Sequence, residues 1–464
     1  MRRLLPCGLA LFAVFCVLPA LAEEDGEIEI LDITIEAEQD KTFVVHGELR
    51  TRYEYLSNYI DLLDEDNGGA DDDIEFFPYR ARIGVEGNFG HGISAYVELQ
   101  AWGQFGDTGT LPSGTDPIGQ VERRQGFVGN QVDFYQGYLQ LDEIAGSDWK
   151  LTIGRREHTL GTELMIGNPD FYNGRFFDGA RASLDKDSFD LDLFAYKISE
   201  NDIFFAGPGG VIIDPNEGDD TFYGASANVD VGLGDIEPYI LYLRDGSTGT
   251  DLRTNLYTIG INWGRLRSEM DGDDGFDWNV ELAGQTGELK GGGNPEIDIS
   301  TSIAELWLGY NFGANRVHIG YLLASGQDPN SNDIESFIPL FDDPHAYNRL
   351  GNLDLFGDTN NFVGGGVGRM TNVQDVNLGY ERWLNGTKHY IMIAFHWLTL
   401  AETLAGASDE IGLETDLVYA YNYSSKVATE FGYSFLTPGD AADEAVGGSA
   451  DNIARFWAQI RARW

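Results

Sequence analysis

Strict alternation of apolar and polar side chains is the feature that most constrains the fold of this chain. Residues 454–464 place Ala, Phe, Ala, Ile, Ala and Trp on one face and Arg, Trp, Gln, Arg and Arg on the other. The same period of two runs through 77–85 and 388–397. A β-strand presents successive side chains to opposite faces, whereas a helix of 3.6 residues per turn cannot use this period. The pattern therefore predicts strands.

About eighteen segments share this pattern, and each is roughly ten residues long, as a tilted membrane-crossing strand requires. After residue 22 no apolar run approaches the ~20 residues that a membrane helix needs. The predicted strands are 43–55, 77–87, 93–103, 131–142, 149–156, 175–184, 188–199, 220–230, 235–244, 253–263, 276–287, 301–312, 315–325, 370–382, 388–399, 413–422, 426–436 and 453–464.

The connections between these segments alternate in length. Short turns lie at 88–92, 143–148, 185–187, 232–234, 385–386 and 424–425, and only 264–275 is a longer connection on that side. Long loops lie at 56–76, 104–130, 157–174, 200–219, 288–300, 326–369, 400–412 and 437–452. A secreted sandwich has no reason to keep this rhythm, whereas bacterial barrels have short periplasmic turns and long extracellular loops. The predicted fold class is all-β, a transmembrane antiparallel up-and-down β-barrel of about 18 strands over 43–464.

The N-terminal residues 1–22 have the features of a secretory signal peptide. Arg2 and Arg3 precede an apolar run, and Ala20-Leu21-Ala22 forms a small-residue cleavage site. Both cysteines lie in this leader, so we expect neither disulfides nor thiolate metal sites in the mature chain. Residues 23–42 then form an acidic periplasmic segment.

The chain ends on an aromatic residue at the end of a strand. Outer-membrane barrels typically end in this way, and the barrel-insertion machinery reads the feature. Trp464 therefore predicts an encounter with that machinery, and together with the leader it places the protein in the Gram-negative cell outer membrane after Sec-type export.

Acidic residues dominate the charge. Of the 30 basic residues only Arg2 and Arg3 fall in the leader, so the mature chain carries a formal charge of −48. This charge excludes nucleic-acid binding through a basic surface. Seven acids lie within 61–73, and others lie in 23–40, 214–220 and 271–274. They form either a solvated loop surface or a divalent-cation site, and without ligand spacing we name no metal ligands.

Catalytic motifs are absent from the sequence. It contains no Gly-x-Ser-x-Gly, no P-loop and no His-Glu-x-x-His, and residues 90–95 fit a dinucleotide fingerprint only superficially because they lie in a turn between strands. We therefore expect a protein that is not an enzyme and that holds no cofactor.

The same alternation assigns side chains to the interior if the apolar face of each strand meets lipid. The arginines predicted to line the lumen and bind substrate are Arg50, Arg52, Arg80, Arg82, Arg155, Arg181, Arg316, Arg455, Arg461 and Arg463. Closure would bring seven of them, on the first, second and last strands, into one wall. Arg155 shares parity with Leu151 and Ile153, so its inward placement requires a bulge or a strand end.

Acidic partners share the inward parity with these arginines. They are Glu48, Glu86, Glu98, Glu305, Glu381 and Glu430. Two interpretations follow: arginines that bind a solute carboxylate through planar two-pronged contacts, or Arg–Glu pairs that only satisfy one another.

The segment 133–197 resembles the alginate export family of outer-membrane proteins. Gly154-Arg155-Arg156-Glu157 is similar to a Gly-Arg-Gln-Glu strand end, and Arg175-Phe176-Phe177-Asp178-Gly179-Ala180-Arg181 is similar to the strand start that follows it. Arg156 stands where the family has Gln, which is a departure from its pattern. The resemblance implies an eighteen-stranded monomeric barrel that passes an anionic polysaccharide through an Arg-rich lumen.

These observations predict an outer-membrane channel for passive transport of an anionic polysaccharide, alginate-like, or of a related anionic solute. Its partners would be outer-membrane lipid, the solute and periplasmic export partners. The main alternative is a substrate-selective porin for uptake of small carboxylates or sugars, and an outer-membrane hydrolase or adhesin is a further alternative. The loop 326–369 could fold inward as a constriction or lie outside as a flap.

Overall fold

The computed structural model describes the chain from residue 41 onward, with gaps. The described ranges are 41–58, 62–63, 73–105, 131–170, 174–199, 203–206, 210–213, 220–245, 253–267, 270, 274–291, 294–343, 345–353, 370–384, 386 and 388–464. The predicted signal peptide, most of the acidic N-terminal segment and most of the acidic stretch 61–73 lie outside these residues.

Eighteen long antiparallel strands form a single ring. In chain order they are β1 Thr42–Ser57, β2 Pro78–Asn88, β3 Ile93–Gln104, β4 Gln131–Leu141, β5 Trp149–Arg156, β6 Phe177–Lys186, β7 Phe189–Ser199, β8 Asp220–Asp230, β9 Asp235–Asp245, β10 Arg253–Arg265, β11 Gly275–Gly291, β12 Asn294–Phe312, β13 Asn315–Ala324, β14 Val373–Leu384, β15 His389–Leu400, β16 Glu410–Asn422, β17 Val427–Pro438 and β18 Ile453–Arg463. Each strand pairs with its neighbours in sequence.

The ring closes between the first and the last strand. β18 pairs antiparallel with β1 from Glu48↔Arg463 to Ser57↔Ala454, and β1 pairs on its other side with β2. At the end of this seam Gly47 and Trp464 exchange two backbone hydrogen bonds of 3.0 Å. The predicted fold class, a closed antiparallel barrel of 18 strands, is confirmed.

Smaller elements supplement the eighteen long strands. A short strand, Ile74–Phe76, extends the pairing of β1, and Ile203–Ala206 pairs with Gly210–Ile213 in a separate hairpin. The last long connection carries a short helix, Asp440–Val446. No helix among the described residues is long and apolar enough to cross a membrane.

One predicted loop is largely strand. Residues 288–300 were expected to form a long connection, but β11 and β12 stay paired as far as Gly291↔Asn294. At this end the outer face carries Glu288 and Asp298 while the inner face carries Ile297 and Ile299, the reverse of a lipid-facing strand. A search for an apolar outer face therefore ends before the strands do. The hairpin extends beyond the length needed for the membrane, toward the side of the long loops.

The outer surface is apolar and carries aromatic residues at both ends. Leu49 is 47 % exposed while its neighbours Glu48 and Arg50 are each 6 % exposed, so the lipid-facing and inward sides of β1 alternate. Tyr223, Tyr242 and Tyr257 stack near the long-loop end. At the opposite end the aromatic pairs are Trp263–Trp278 and Phe276–Tyr310. Two such girdles are typical of barrels that sit in a lipid bilayer.

Two connecting segments fold into the barrel instead of lying outside it. In residues 157–170, Thr162 donates to Glu281 on β11 at 2.8 Å, and Asp170 accepts from Arg80 on β2 at 2.5 Å. β2 and β11 are nine positions apart in a ring of 18, so this segment crosses the interior. We call it the first inner segment.

The described part of the longest loop crosses the interior as well. The described residues of 334–353, which are 334–343 and 345–353, are called the second inner segment. At one end Ile334 bridges to Ile299 on β12. At the other end the backbone N–H groups of Asn352 and Leu353 donate to Glu414 on β16 at 2.7 and 2.8 Å. Of the two placements considered for the loop 326–369, its described part adopts the inward one.

The two inner segments are joined to each other and to an apolar cluster. Phe341 accepts a backbone hydrogen bond from Gly167 at 2.6 Å and donates one to Met165 at 3.0 Å. Leu164, Met165 and Ile166 are fully buried against side chains from the inner faces of the strands. Part of the interior is thus packed like a core, and this packing narrows the space left for a solute.

Candidate functional site: the arginine wall and its constriction

The closing strands bring arginines into direct register. In the pairing of β18, β1 and β2, Arg461 lies opposite Arg50, and Arg50 lies opposite Arg80. Since paired residues point to the same face of a sheet, the three guanidinium groups share the inner face at one level. We call the seven inward arginines of these strands the arginine wall: Arg50, Arg52, Arg80, Arg82, Arg455, Arg461 and Arg463.

Glutamates of the same wall neutralise part of its charge. Glu48 binds Arg80 at 2.5 Å and Arg463 at 2.9 Å. Glu54 binds Arg52 and Arg455, each at 2.8 Å. Both carboxylates are more than 90 % buried, and a buried charge that is paired avoids most of the desolvation cost. Four of the seven arginines of the wall therefore form ion pairs with its glutamates, as the second of the two interpretations expected.

The first inner segment brings one more carboxylate to the wall. Asp170 binds Arg80 at 2.5 Å and Arg82 at 3.2 Å, and its backbone carbonyl accepts from Arg50 at 2.5 Å. Burial opposes ionisation of Asp170, but the charges and hydrogen bonds of the nearby arginines, Arg80 foremost, lower its pKa to about 2. Asp170 is therefore ionised at any physiological pH and ties the segment to the wall.

Arg82 is held in one orientation by several neighbours. Its guanidinium lies 3.9 Å from the centre of the Tyr135 ring, and its Nε donates to Gln100 at 2.6 Å. Glu157, at the start of the first inner segment, lies 3.7 Å away. These contacts fix the direction in which Arg82 presents its charge.

Arg461 differs from the rest of the wall. Among the described residues, no hydrogen-bond acceptor or carboxylate lies within bonding distance of its side chain. Arg461 is in register with Arg50 and lies two residues from Arg463, on the same face of β18. An inward guanidinium without a protein carboxylate keeps its full capacity for a planar, two-pronged contact with an anion. Among the described arginines of the wall, it is the one whose guanidinium is left without a protein acceptor.

Two predicted arginines face the interior elsewhere in the ring. Arg181 on β6 binds Asp192 through two hydrogen bonds of 2.8 and 2.5 Å. Arg316 on β13 binds Asp277 at 2.6 Å and Glu381 at 2.5 Å. Both are matched by carboxylates, so they contribute little net charge.

The pairing register places Arg155 on the outer face, which corrects its predicted inward position. β5 pairs with β4 and β6 without any bulge, so Arg155 lies on the same face as Ile153, which is 49 % exposed. It binds Asp178 at 2.7 Å. Arg156 is the arginine that faces inward, where it lies 5.0 Å from the Tyr138 ring.

The remaining predicted acidic partners have varied neighbours. Glu98 accepts from Gln136 at 2.9 Å, Glu430 accepts from the Trp457 indole at 2.8 Å, and Glu381 is the partner of Arg316 described above. Glu86 lies 3.7 Å from His46 at an exposed position.

Glu305 binds an arginine that the strand pattern does not reveal. Arg349 donates to both oxygens of Glu305, at 2.5 and 2.9 Å, and to the backbone carbonyl of Thr162 at 3.0 Å. Burial disfavours its charge, but Glu305 reverses this and raises the pKa of Arg349. Arg349 and Asp170 both lie in loops without periodicity, and neither has a local sequence signal that indicates its distant partner.

No metal site is formed by the described part of the chain, which contains no group of three or more His, Cys, Asp or Glu side chains placed to hold an ion. Its chemistry is that of fixed charges and hydrogen-bonding groups around a narrowed passage. A closed barrel with an apolar belt, a polar interior and inward-folded segments defines an outer-membrane channel of the porin type.

Comparison with known families identifies the type of channel. The family described as Alginate export matches residues 45–456, which is nearly the whole barrel. The chain belongs to the alginate export family.

Solved structures show the same fold at low sequence identity. OpdL of Pseudomonas aeruginosa is 13 % identical, with 91 % of this chain and 98 % of that chain covered at a TM-score of 0.57. OccK9 (OpdG) of the same organism gives the same identity, coverage and TM-score. The outer membrane protein opdK, also from Pseudomonas aeruginosa, is 10 % identical, with 90 % and 98 % covered and a TM-score of 0.55. No curated protein matches the sequence.

Proposed function

We propose that this channel passes an anionic polysaccharide, alginate-like in carrying carboxylates along its length, or a related anionic solute, through the passage beside the arginine wall. The observation that carries the proposal is Arg461, an inward guanidinium without a protein partner among the described residues, in register with Arg50 and Arg80. Each carboxylate of a passing chain would meet this group in turn. Binding has to stay weak enough for release, as in other selective pores.

Single-channel recording in planar bilayers tests the proposal. Uronate oligomers are expected to block the wild-type channel reversibly, and Arg461→Gln is expected to raise the half-blocking concentration about fivefold to tenfold, the worth of one partly solvated charge-assisted contact. Arg265→Gln is the matched control, because Arg265 ends β10 on the outer face and is exposed. Cation selectivity with no effect of the oligomers would contradict the proposal.

The same recordings separate the alternative function. A porin for small carboxylates predicts that acetate or citrate carries current and that oligomers neither enter nor block. Reversal potentials measured in gradients of these salts give the relative permeabilities, and oligomer block gives access of the longer chain. The two functions thus predict opposite responses to chain length.

A further inference from the structure

A cavity of about 500 Å³ lies away from the arginine wall, on the inner faces of β12 to β15. The second inner segment covers one side of it with Tyr347, Asn348 and Arg349. A volume in this range suits a small ligand. The strands that form the cavity lie three or more positions from β18 in the ring, so it is a separate site.

Four buried polar atoms of the lining have no hydrogen-bond partner. Among the described residues, Trp307 Nε1, Arg267 Nη1, Asn348 Oδ1 and Asp375 Oδ1 are buried without a hydrogen-bond partner. All four residues line the cavity. Buried polar groups are nearly always paired, so two donors and two acceptors without partners in one cavity indicate a bound molecule that supplies both functions.

The other contacts of these residues fix their positions. Asp375 uses its second oxygen to accept from His396 at 2.8 Å and from Asn377 at 2.9 Å. Asn348 uses its amide nitrogen for His396, at 2.9 Å. Arg267 lies 3.5 Å from the centre of the Trp383 ring. The free atoms therefore belong to side chains that are already oriented, as a preorganised binding site requires.

The charge of the lining favours hydroxyl groups over a bare anion. Arg267, Arg316 and Arg349 are balanced by Glu305, Asp375 and Glu381, and the last two arginines are bound to carboxylates. A free anion would approach Asp375, whereas a hydroxyl can accept from a donor and donate to an acceptor. Trp307 and Tyr347, whose rings stack at 5.8 Å, add the apolar surface that the C–H face of a sugar ring needs.

We propose that this cavity binds one pyranose ring through its hydroxyl groups, with Trp307 and Arg267 as donors and Asn348 and Asp375 as acceptors. The inference rests on the proposed function only for the source of the ring, which would be one unit of the transported chain. Because the site reads hydroxyls, neutral hexoses bind as well as uronic acids. The arginine wall then discriminates solutes by their charge, and the cavity discriminates them by the hydroxyl groups of the sugar ring.

Calorimetric titration of the purified barrel in detergent tests this site. Glucose and mannuronic acid, each added up to about 50 mM, are expected to bind with millimolar dissociation constants, and acetate is expected not to bind there. Trp307→Phe keeps an aromatic ring but removes the N–H donor, and it is expected to weaken both sugars about fivefold. Trp397→Phe is the matched control, since Trp397 is 47 % exposed on the outer face of β15.

The outcomes separate this inference from the proposed function. Absence of sugar binding to the wild-type barrel, or equal binding by wild type and Trp307→Phe, overturns the cavity site and means that water fills it. Arg267→Gln is the second variant if Trp307→Phe does not fold. Sugar binding that Trp307→Phe weakens, in a channel that oligomers do not block, supports the cavity while contradicting the proposed transport function.

Discussion

Asp170 illustrates how a single carboxylate can set the charge of a passage. It binds Arg80 and Arg82 and, through its backbone carbonyl, Arg50, so it occupies three guanidinium groups that the proposed anionic solute would otherwise meet. Arg461 is left outside this competition among the described residues. The positive charge of the wall is therefore uneven. Arg80 and Arg82 are paired with a carboxylate, whereas Arg461 beside them is not.

Removing the charge of Asp170 should strengthen anion binding. Asp170→Asn keeps the size of the side chain and frees the arginines, so uronate oligomers are expected to block at an about threefold lower concentration than in the wild type. Planar-bilayer recording measures this shift. Asp178→Asn, which changes the outward pair of Arg155, serves as the control, and an unchanged or weaker block in Asp170→Asn would contradict the prediction.

The pKa of Asp170 also predicts the pH response of the constriction. Because the pKa in the folded protein is lowered to about 2 from the ordinary 3.8, its ion pairs stabilise the protein fully above about pH 4 and are lost as the pH falls through about 2. Asp170 stays ionised between pH 8 and about pH 5, so it is expected to cause no change of conductance in this range. A step in this range that Asp170→Asn abolishes would contradict the assignment.

At the level of elements, the two inner segments determine how much of the barrel is open. An 18-stranded ring has room for an aqueous channel, but residues 157–170 and 334–353 cross it and pack against each other. The open part of the interior is the space between these segments and the strands. The strands therefore set the diameter of the barrel, and the connecting segments set how much of it is open.

Shortening the second inner segment should widen the channel. Replacing residues 334–343 by a short Gly-Ser linker removes Phe337 and Phe341 from the packed interior, and conductance is expected to rise at least twofold because the cross-section limits ion flow. A Gly-Ser replacement of residues 403–407, in an outer connection where Leu404 is 69 % exposed, controls for loop shortening. Equal conductance in the two variants would rule out a constricting role.

The strands could be predicted from the sequence, whereas the inner segments could not. Alternation is local and has an exact period of two, so strands such as β5 and β8 begin and end at their predicted residues. The first inner segment has no period, and its partners Glu281 and Arg80 come from opposite sides of the ring. The inward position predicted for Arg155 required a bulge or a strand end, whereas the pairing runs through Arg155 to Arg156 without a register shift.

For the whole molecule, the seam between the first and last strands contains a glycine, Gly47, that leaves room for the C-terminal tryptophan. A Cβ atom on Gly47 would coincide with the indole ring of Trp464, which lies over this glycine at the end of the β1–β18 pairing. The position therefore admits the terminal aromatic ring only because it is glycine.

Substitution at this seam should impair barrel closure. In Gly47→Val the branched side chain would displace the Trp464 ring, and the folded barrel is expected to unfold at a lower temperature in detergent. The shift from the compact to the unfolded band on unheated and heated SDS gels measures this change. Gly232→Val is the control. Gly232 lies in a turn with a left-handed φ of 76° and open space around its Cβ position, so this variant measures backbone strain without a steric clash. Equal falls of the unfolding temperature in both variants would contradict a role for the Trp464 ring.

The contacts between the inner segments and the closing strands couple the interior of the barrel to its seam. Arg50 on β1 binds the carbonyl of Asp170, and Arg455 on β18 binds the carbonyl of Asn352, so each strand that completes the ring also grips one inner segment. The two strands that meet at the seam are thus held both by their own backbone pairing and by the segments inside the barrel. A change that displaces either inner segment would therefore also weaken the place where the sheet closes on itself.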